Sequence, residues 1–240
     1  MDLKESDILK DHIFEHWYYK IKSESLQKTL GGQHFDSVSD IGAGGGFFSK
    51  VLLDAGVANK AHCIDIGYPQ ERSETWNGKK IEFMRSISHL PEGLVMLMDV
   101  LEHVEDDVTL LRNYTQIAPK GSKFFITVPA FQFLFSEHDV FLEHYRRYTL
   151  NQIESVVENS GLTIIKSHYL YGTLFPAIAC IRLLKRLMTG FRPPTNPKTE
   201  MKIHCKFMNA IYYWIHKLEL QIQNFNKFYG LTAVVFAEKK

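Results

Sequence analysis

Three glycines, Gly42, Gly44 and Gly46, sit between a β-prone run containing Phe35, Val38 and Ile41 and a stretch of helical spacing, Phe47-Phe48-Ser49-Lys50-Val51-Leu52-Leu53. A strand, a glycine turn and a helix in that order predict an α/β unit whose ligand lies at the turn. Glycine permits positive φ and lacks Cβ, so the backbone can approach a ligand closely with its N–H groups facing an anion at the helix N-terminus. That anion could be a phosphate or a carboxylate. A dinucleotide fingerprint requires its third glycine at position 47, which is Phe47, so G-x-G-x-x-G fails. Asp40, two residues ahead of the turn, would repel pyrophosphate and suit a ligand bearing an ammonium group. A ligand-free tight turn is the plain alternative.

The next apolar stretch, Ala61-His62-Cys63-Ile64, reads as a parallel strand ending at Asp65. A carboxylate there can accept both ribose hydroxyls of a nucleoside, although strand ends also favour Asp for turn reasons alone. A third strand, Ile81-Glu82-Phe83-Met84, is followed by Arg85-Ser86-Ile87-Ser88-His89. Leu94 to Met98 reads as a buried strand that runs, after Asp99, into a helix opening with acidic residues and with His103 at its start. Strand Phe124 to Pro129 follows a Pro119-Lys120-Gly121 turn, and Asn151 to Ser160 reads as a helix stopped by Gly161.

Together D-x-G-x-G-x-G, the strand-end acid and D-V-L-E-H-V resemble the class I S-adenosylmethionine-dependent methyltransferases, over about residues 35–170 plus a last strand. The L-E-H-V element is similar to that of the ubiquinone-pathway O-methyltransferases. Glu15-His16-Trp17-Tyr18, Ser136-Glu137-His138-Asp139 and Glu143-His144-Tyr145-Arg146-Arg147-Tyr148-Thr149 resemble a bacterial subgroup with an H-Y-R-R-Y-T signature, members of which serve surface-polysaccharide or lipid-linked pathways. The resemblance implies S-adenosylmethionine as cofactor and S-adenosylhomocysteine as product. It implies cofactor contacts at Asp40, Gly42, Ala43, Gly44, Gly46, Asp65, Ile66, Met98, Asp99 and His103. The wider family carries an acid for the adenine amino group after the third strand; this chain has none, leaving Ser86 or a backbone carbonyl to accept that bond.

Strands and helices alternate from about residue 37 to 171, so the expected fold is a doubly wound, Rossmann-like α/β sheet, mostly parallel with an antiparallel last strand and a helical insertion before it. Residues 1–34 form N-terminal helices, 35–171 with 231–240 the cofactor-binding domain, and 172–230 the insertion. The insertion holds two helical stretches separated by Gly190 to Pro197, a Pro-rich break. In the second stretch Met208, Ile211, Ile215, Leu218, Ile222 and Phe225 recur at steps of three and four. Such a stripe reads first as core packed against the domain, with a lid, a homodimer helix and an interfacial membrane helix as alternatives.

Transfer to an oxygen needs a base for the acceptor proton, and the loop after Pro129 supplies candidates. His144 is the first choice, with His138 and Asp139 second; a purely structural role for His144 is the alternative. Arg146 and Arg147 suit an acidic acceptor, or a loop-organising ion pair with Asp139 or Glu143. Tyr148 and Trp17 complete the acceptor set, although Tyr148 also reads as a loop anchor and Trp17 as a core anchor.

Three scattered cysteines without C-x-x-C spacing argue against disulfides and a zinc site, so no metal is expected. With a charged N-terminus lacking a signal-like segment, they point to the cytoplasm. Residues 1–160 hold 16 Lys+Arg and 24 Asp+Glu, whereas 161–240 hold 12 and 3. That division suggests a basic face meeting an anionic membrane or acceptor, or attraction between the two halves. No amino-methylation motif or base-reading module is evident, so nucleic acid is not an expected partner. The remaining readings are a cofactor-binding protein without catalysis and an NAD-dependent oxidoreductase. The expected acceptor is a sugar, lipid-linked or small molecule, met by a cytoplasmic protein peripheral at the inner membrane face.

Overall fold

The computed structural model describes residues 9–189, 199 and 203–240. Met1 to Asp7 and the break Gly190 to Pro197 lie outside them. Five parallel strands form the centre of an eight-stranded sheet: β1 (Phe35–Ile41), β2 (Ala58–Ile64), β4 (Lys79–Met84), β5 (Gly93–Met98) and β6 (Lys123–Pro129). β3 (Arg72–Trp76) precedes β4, and β7 (Leu162–Leu170) and β8 (Thr232–Lys239) complete the order β3-β4-β2-β1-β5-β6-β8-β7. β8 runs antiparallel between β6 and β7, as the sequence pattern predicts for the last strand.

Alternate residues of β5 feed two cores. Leu94, Met96 and Met98 join one face, which α1 (Trp17–Leu30) and α2 (Phe47–Asp54) cover; Val95 and Leu97 join the other, covered by α3 (Asp107–Ile117) and α5 (Leu150–Asn159). The short α4 (Glu137–Phe141) follows β6, and α6 (Phe175–Thr189) and α7 (Lys206–Glu219) make up the insertion.

Two elements differ from the sequence reading. Where strand–helix alternation predicts a helix between β2 and β4, the chain instead makes β3, an antiparallel hairpin with β4. Asn77 and Gly78 both take positive φ, 48° and 79°, which a type I′ hairpin turn requires. The helix expected directly after Asp99 starts only at Asp107, because Asp106 caps it by accepting from the Thr109 N–H at 2.9 Å. Residues Leu101–His103 form a 3-10 turn between.

The third difference concerns α7. Its apolar stripe does not pack against the domain. The helix lies on α1 through its other side, where Tyr212 and Tyr213 pack on the core and polar groups pair: Asn209 Oδ1 accepts from Trp17 N, Tyr213 donates to Glu24 at 2.7 Å, and Glu219 accepts from Gly172 N. Polar groups of Thr173, Glu24 and α1 needed partners on that side, and α7 supplies them.

Candidate functional site

The glycine turn is built by close approach. A Cβ on Gly42 would stand 2.7 Å from Val100 Cγ2, and one on Gly46 3.1 Å from Cys63 Sγ, at φ of 65° and 70°. The turn's N–H groups are committed internally: Gly42 donates to Ile64 O at 2.7 Å, Gly46 to Ala43 O at 2.9 Å, and Gly44 to Asp65 Oδ2 at 3.0 Å. Asp65 thus braces the turn and also lines the groove beside it, its second oxygen accepting from Gly67 N at 2.9 Å.

Asp40 lies behind the turn, 1% exposed, where Ser49 of α2 donates to Oδ2 at 2.9 Å and Oδ1 has no partner. Burial pushes its pKa up to about 6, and the Ser49 hydroxyl partly offsets this. It lines neither cavity described below, so its position suits support of the turn more than ligand contact.

Two cavities meet at Asp99, His103 and Leu142. The larger, about 950 Å³, is a groove bounded by Gly42, Asp65, Ile66, Ser86, Ile87 and Val100 among others. Ile66, 82% exposed, offers an apolar surface there, beside the Ser86 hydroxyl. The smaller chamber, about 320 Å³, is walled by Trp17, Glu102, His138, His144 and Arg147, and by Ile178, Arg182 and Tyr212 of the insertion. Both volumes fall in the range of small-molecule sites, roughly 300–1,000 Å³.

At the junction Asp99 takes φ of 55°, and its carboxylate accepts from Thr127 Oγ1 at 3.0 Å and pairs with Lys22 of α1. Lys22 is 1% exposed. Burial alone would lower its pKa, yet Asp99 holds it above the usual lysine value; Lys22 in turn holds the Asp99 carboxyl below its own, against burial. The junction therefore presents the Asp99 carboxylate, held ionised from behind by a buried lysine that lines neither cavity.

The chamber is organised around Asp139, which is fully buried. Ser136 N, Arg147 Nε and His144 Nδ1 converge on its oxygens at 2.8, 2.7 and 3.0 Å. Burial opposes ionisation, but His144 and Arg147 keep the Asp139 carboxyl far below the usual range. In a neutral His144 ring that donates its Nδ1 proton to Asp139, Nε2 carries the lone pair of a base. The His103 ring stands edge-on to His144 at 4.7 Å, and burial depresses its pKa to about 4, so it is neutral near pH 7. Glu102 is fully buried with neither oxygen partnered, and burial followed by the nearby Asp99 charge raises its pKa well above the ordinary value. Among the described residues Glu102, His103 and His144 bring one donor atom each within 4.8 Å, a set with the chemistry to hold a divalent metal.

Of the residues singled out in the sequence, Gly42, Asp65, Ile66, Ser86, Asp99 and His103 line the groove, and Trp17, His138, His144 and Arg147 the chamber. Ala43, Gly44, Gly46 and Met98 support the groove without lining it. Arg146 and Tyr148 line neither: Arg146 bonds Asp107 and Glu105 O, and the Tyr148 hydroxyl donates to Asp107 Oδ2 at 2.7 Å, tying the loop to the start of α3. Sequence reasoning missed Lys22, which carries no local signal, and assigned no role to Glu102, which sits inside L-E-H-V. The buried Trp17 indole N–H also has no partner, leaving a donor in the chamber wall.

No protein-family model matches this chain, and no curated protein matches its sequence. Solved structures do. A complex of the Haloferax volcanii Trm112 methyltransferase activator with its methyltransferase matches at a TM-score of 0.55 and 14% identity, over 97% of this chain and 92% of that one. A SAM-dependent methyltransferase from Archaeoglobus fulgidus matches at 0.52 and 16%, over 92% and 94%. The [4+2]-cyclase SpnF matches at 0.54 and 11%, over 90% and 79%. These likenesses establish the class: an α/β protein with the Rossmann-like fold of the methyltransferases.

Proposed function

We propose that this chain is an S-adenosylmethionine-dependent methyltransferase acting on an oxygen of a sugar, lipid-linked or small-molecule acceptor, in the cytoplasm at the inner membrane face. The observation that carries the reading is the junction: a nucleoside-sized groove and an acceptor-sized chamber meet at Asp99 and His103, with His144 in the chamber wall.

The groove's residues fit the cofactor. Asp65 offers its carboxylate to ribose hydroxyls, Ile66 and Ile87 offer apolar surface to adenine, and Ser86 offers a hydroxyl to its amino group. Asp99, held ionised by Lys22 behind it, complements the ammonium of the methionine end. Bound there, S-adenosylmethionine supplies an electrophilic methyl group on a sulfonium. Asp139 fixes the His144 ring, His144 Nε2 takes the acceptor hydroxyl's proton, and Trp17 and Arg147 orient the acceptor. The walls supplied by α1, α6 and α7 keep water from the reacting atoms.

Calorimetry with S-adenosylmethionine and with NAD tests the cofactor: binding of the first and not the second is expected, and the reverse result makes the chain an oxidoreductase. His144→Ala and His144→Gln should each lower methyl transfer about 10²–10⁴-fold with cofactor affinity unchanged. Unaltered transfer in both variants removes the base assignment. The likeness to a cyclase supports a second reading, a cofactor-binding protein without methyl transfer. Cofactor binding with no transfer to any acceptor class would favour it.

A further inference from the structure

Both insertion helices leave an apolar face in solvent. Along α7 and the 3-10 turn after it, Phe207, Trp214, Leu218, Ile222 and Phe225 share one face, and that face is exposed; Trp214 is 62% and Leu218 71% accessible. The opposite face carries the polar groups, with His216 and Glu219 buried and bonded to each other at 2.9 Å and to Thr173. Helix α6 packs Phe175, Ile178 and Ala179 inward and also leaves an apolar face outside. Arg182 and Arg186 donate inward to Leu134 O and Phe133 O and Lys185 pairs with Glu137, while Ile181, Leu184, Leu187 and Met188 point outward. Folded proteins rarely leave so large an apolar surface in water unless something covers it.

The charge of the segment that carries this surface identifies the cover. Residues 172–230 hold 9 Lys+Arg and 2 Asp+Glu, and one of those acids, Glu219, is buried against His216 and Gly172. An apolar, Trp-bearing helix face within a strongly cationic segment matches an anionic bilayer surface, where apolar side chains enter the headgroup boundary and cations meet lipid phosphates. Among the described residues no helix is long and apolar enough to cross a membrane, so the fit is to its surface. The same helices wall the chamber through Ile178, Arg182 and Tyr212.

We propose that the outward faces of α6 and α7 dock on an anionic lipid bilayer, opening the chamber beside the membrane to an acceptor carried in it. The choice of acceptor rests on the methyltransferase reading; the docking surface does not.

The test is co-sedimentation of the full chain with vesicles of phosphatidylcholine alone and of phosphatidylcholine mixed with phosphatidylglycerol. Cofactor calorimetry and circular dichroism are run on the same samples. Binding is expected to the anionic vesicles, weaker by about tenfold or more to neutral ones or in high salt. Two variants, Trp214→Ser/Leu218→Ser/Ile222→Ser on α7 and Leu184→Ser/Leu187→Ser on α6, should each lose about tenfold or more in partitioning. They should keep wild-type circular dichroism and cofactor affinity. No vesicle binding, or binding that neither variant weakens, overturns the docking surface. A wild-type dimer that the α7 variant turns into monomer, without vesicle binding, gives the stripe to a second copy and also overturns it. Cofactor binding without vesicle binding sinks the docking proposal alone; vesicle binding without cofactor binding sinks the methyltransferase reading alone.

Discussion

Helices α2 and α7 are both amphipathic, yet they face opposite ways. In α2, Phe47, Phe48, Leu52 and Leu53 are buried against the sheet. In α7 the buried residues are His216 and Glu219, and the apolar stripe looks outward. The difference teaches that period-3.6 patterning fixes a helix and its two faces without fixing which face goes in. What decides is the surface each helix meets. For α2 that is an apolar sheet face; for α7 it is α1 and the Gly172–Thr173 corner, which offer N–H groups, a hydroxyl and the Glu24 carboxylate.

The contrast can be broken by truncating each helix. Phe48→Ala should cost about 3–5 kcal/mol in urea unfolding, since a fully buried ring leaves a cavity. A cost below about 1 kcal/mol would mean that α2 is not seated on the core. Buried polar groups sharpen the comparison further. His168 of β7 is fully buried with neither ring nitrogen partnered, and burial depresses its pKa to about 4. As the pH falls from about 6.5 to 4 the unfolded chain takes up a proton at this position that the folded chain does not. His168 should therefore cost about 3 kcal/mol of stability by pH 4. His168→Leu should flatten that part of the stability–pH curve, and an unchanged slope would show that another group sets it.

On α7 the order of effects should invert. Glu219→Ala, which strips partners from Gly172 N, Thr173 and His216, should cost about 1.5–3 kcal/mol. Leu218→Ser, on the outward face, should stay within about 0.5 kcal/mol. A larger loss from Leu218→Ser than from Glu219→Ala in chemical denaturation would return the stripe to the core.

Much of the sheet half was legible because its signals are local. Gly42 and Gly46 mark a turn that admits no Cβ, Asp65 ends a strand, and Ser86 follows one, and all sit within a few residues of the structure they specify. The β3 hairpin breaks the strand–helix alternation on either side of it, and its one local signal is the Asn77-Gly78 turn. The chamber was half legible. The Arg147–Asp139 pair is the loop-organising ion pair that the sequence offers as one alternative, whereas the bond of His144 to the same carboxylate required the capping box at Ser136 to turn Asp139 inward.

By itself, then, the sequence determined the parallel-type strands β1, β2, β4, β5 and β6 along the chain, the glycine turn and the carboxylates at the strand ends, since neighbours in the chain set those geometries. Only the tertiary structure decided that Lys22 reaches Asp99 across 77 residues, that Glu102 is buried beside His103 and His144, and that the polar side of α7 faces in. Those outcomes depend on which surfaces and charges meet at long range, where burial makes an unpaired polar group costly and so selects its partner.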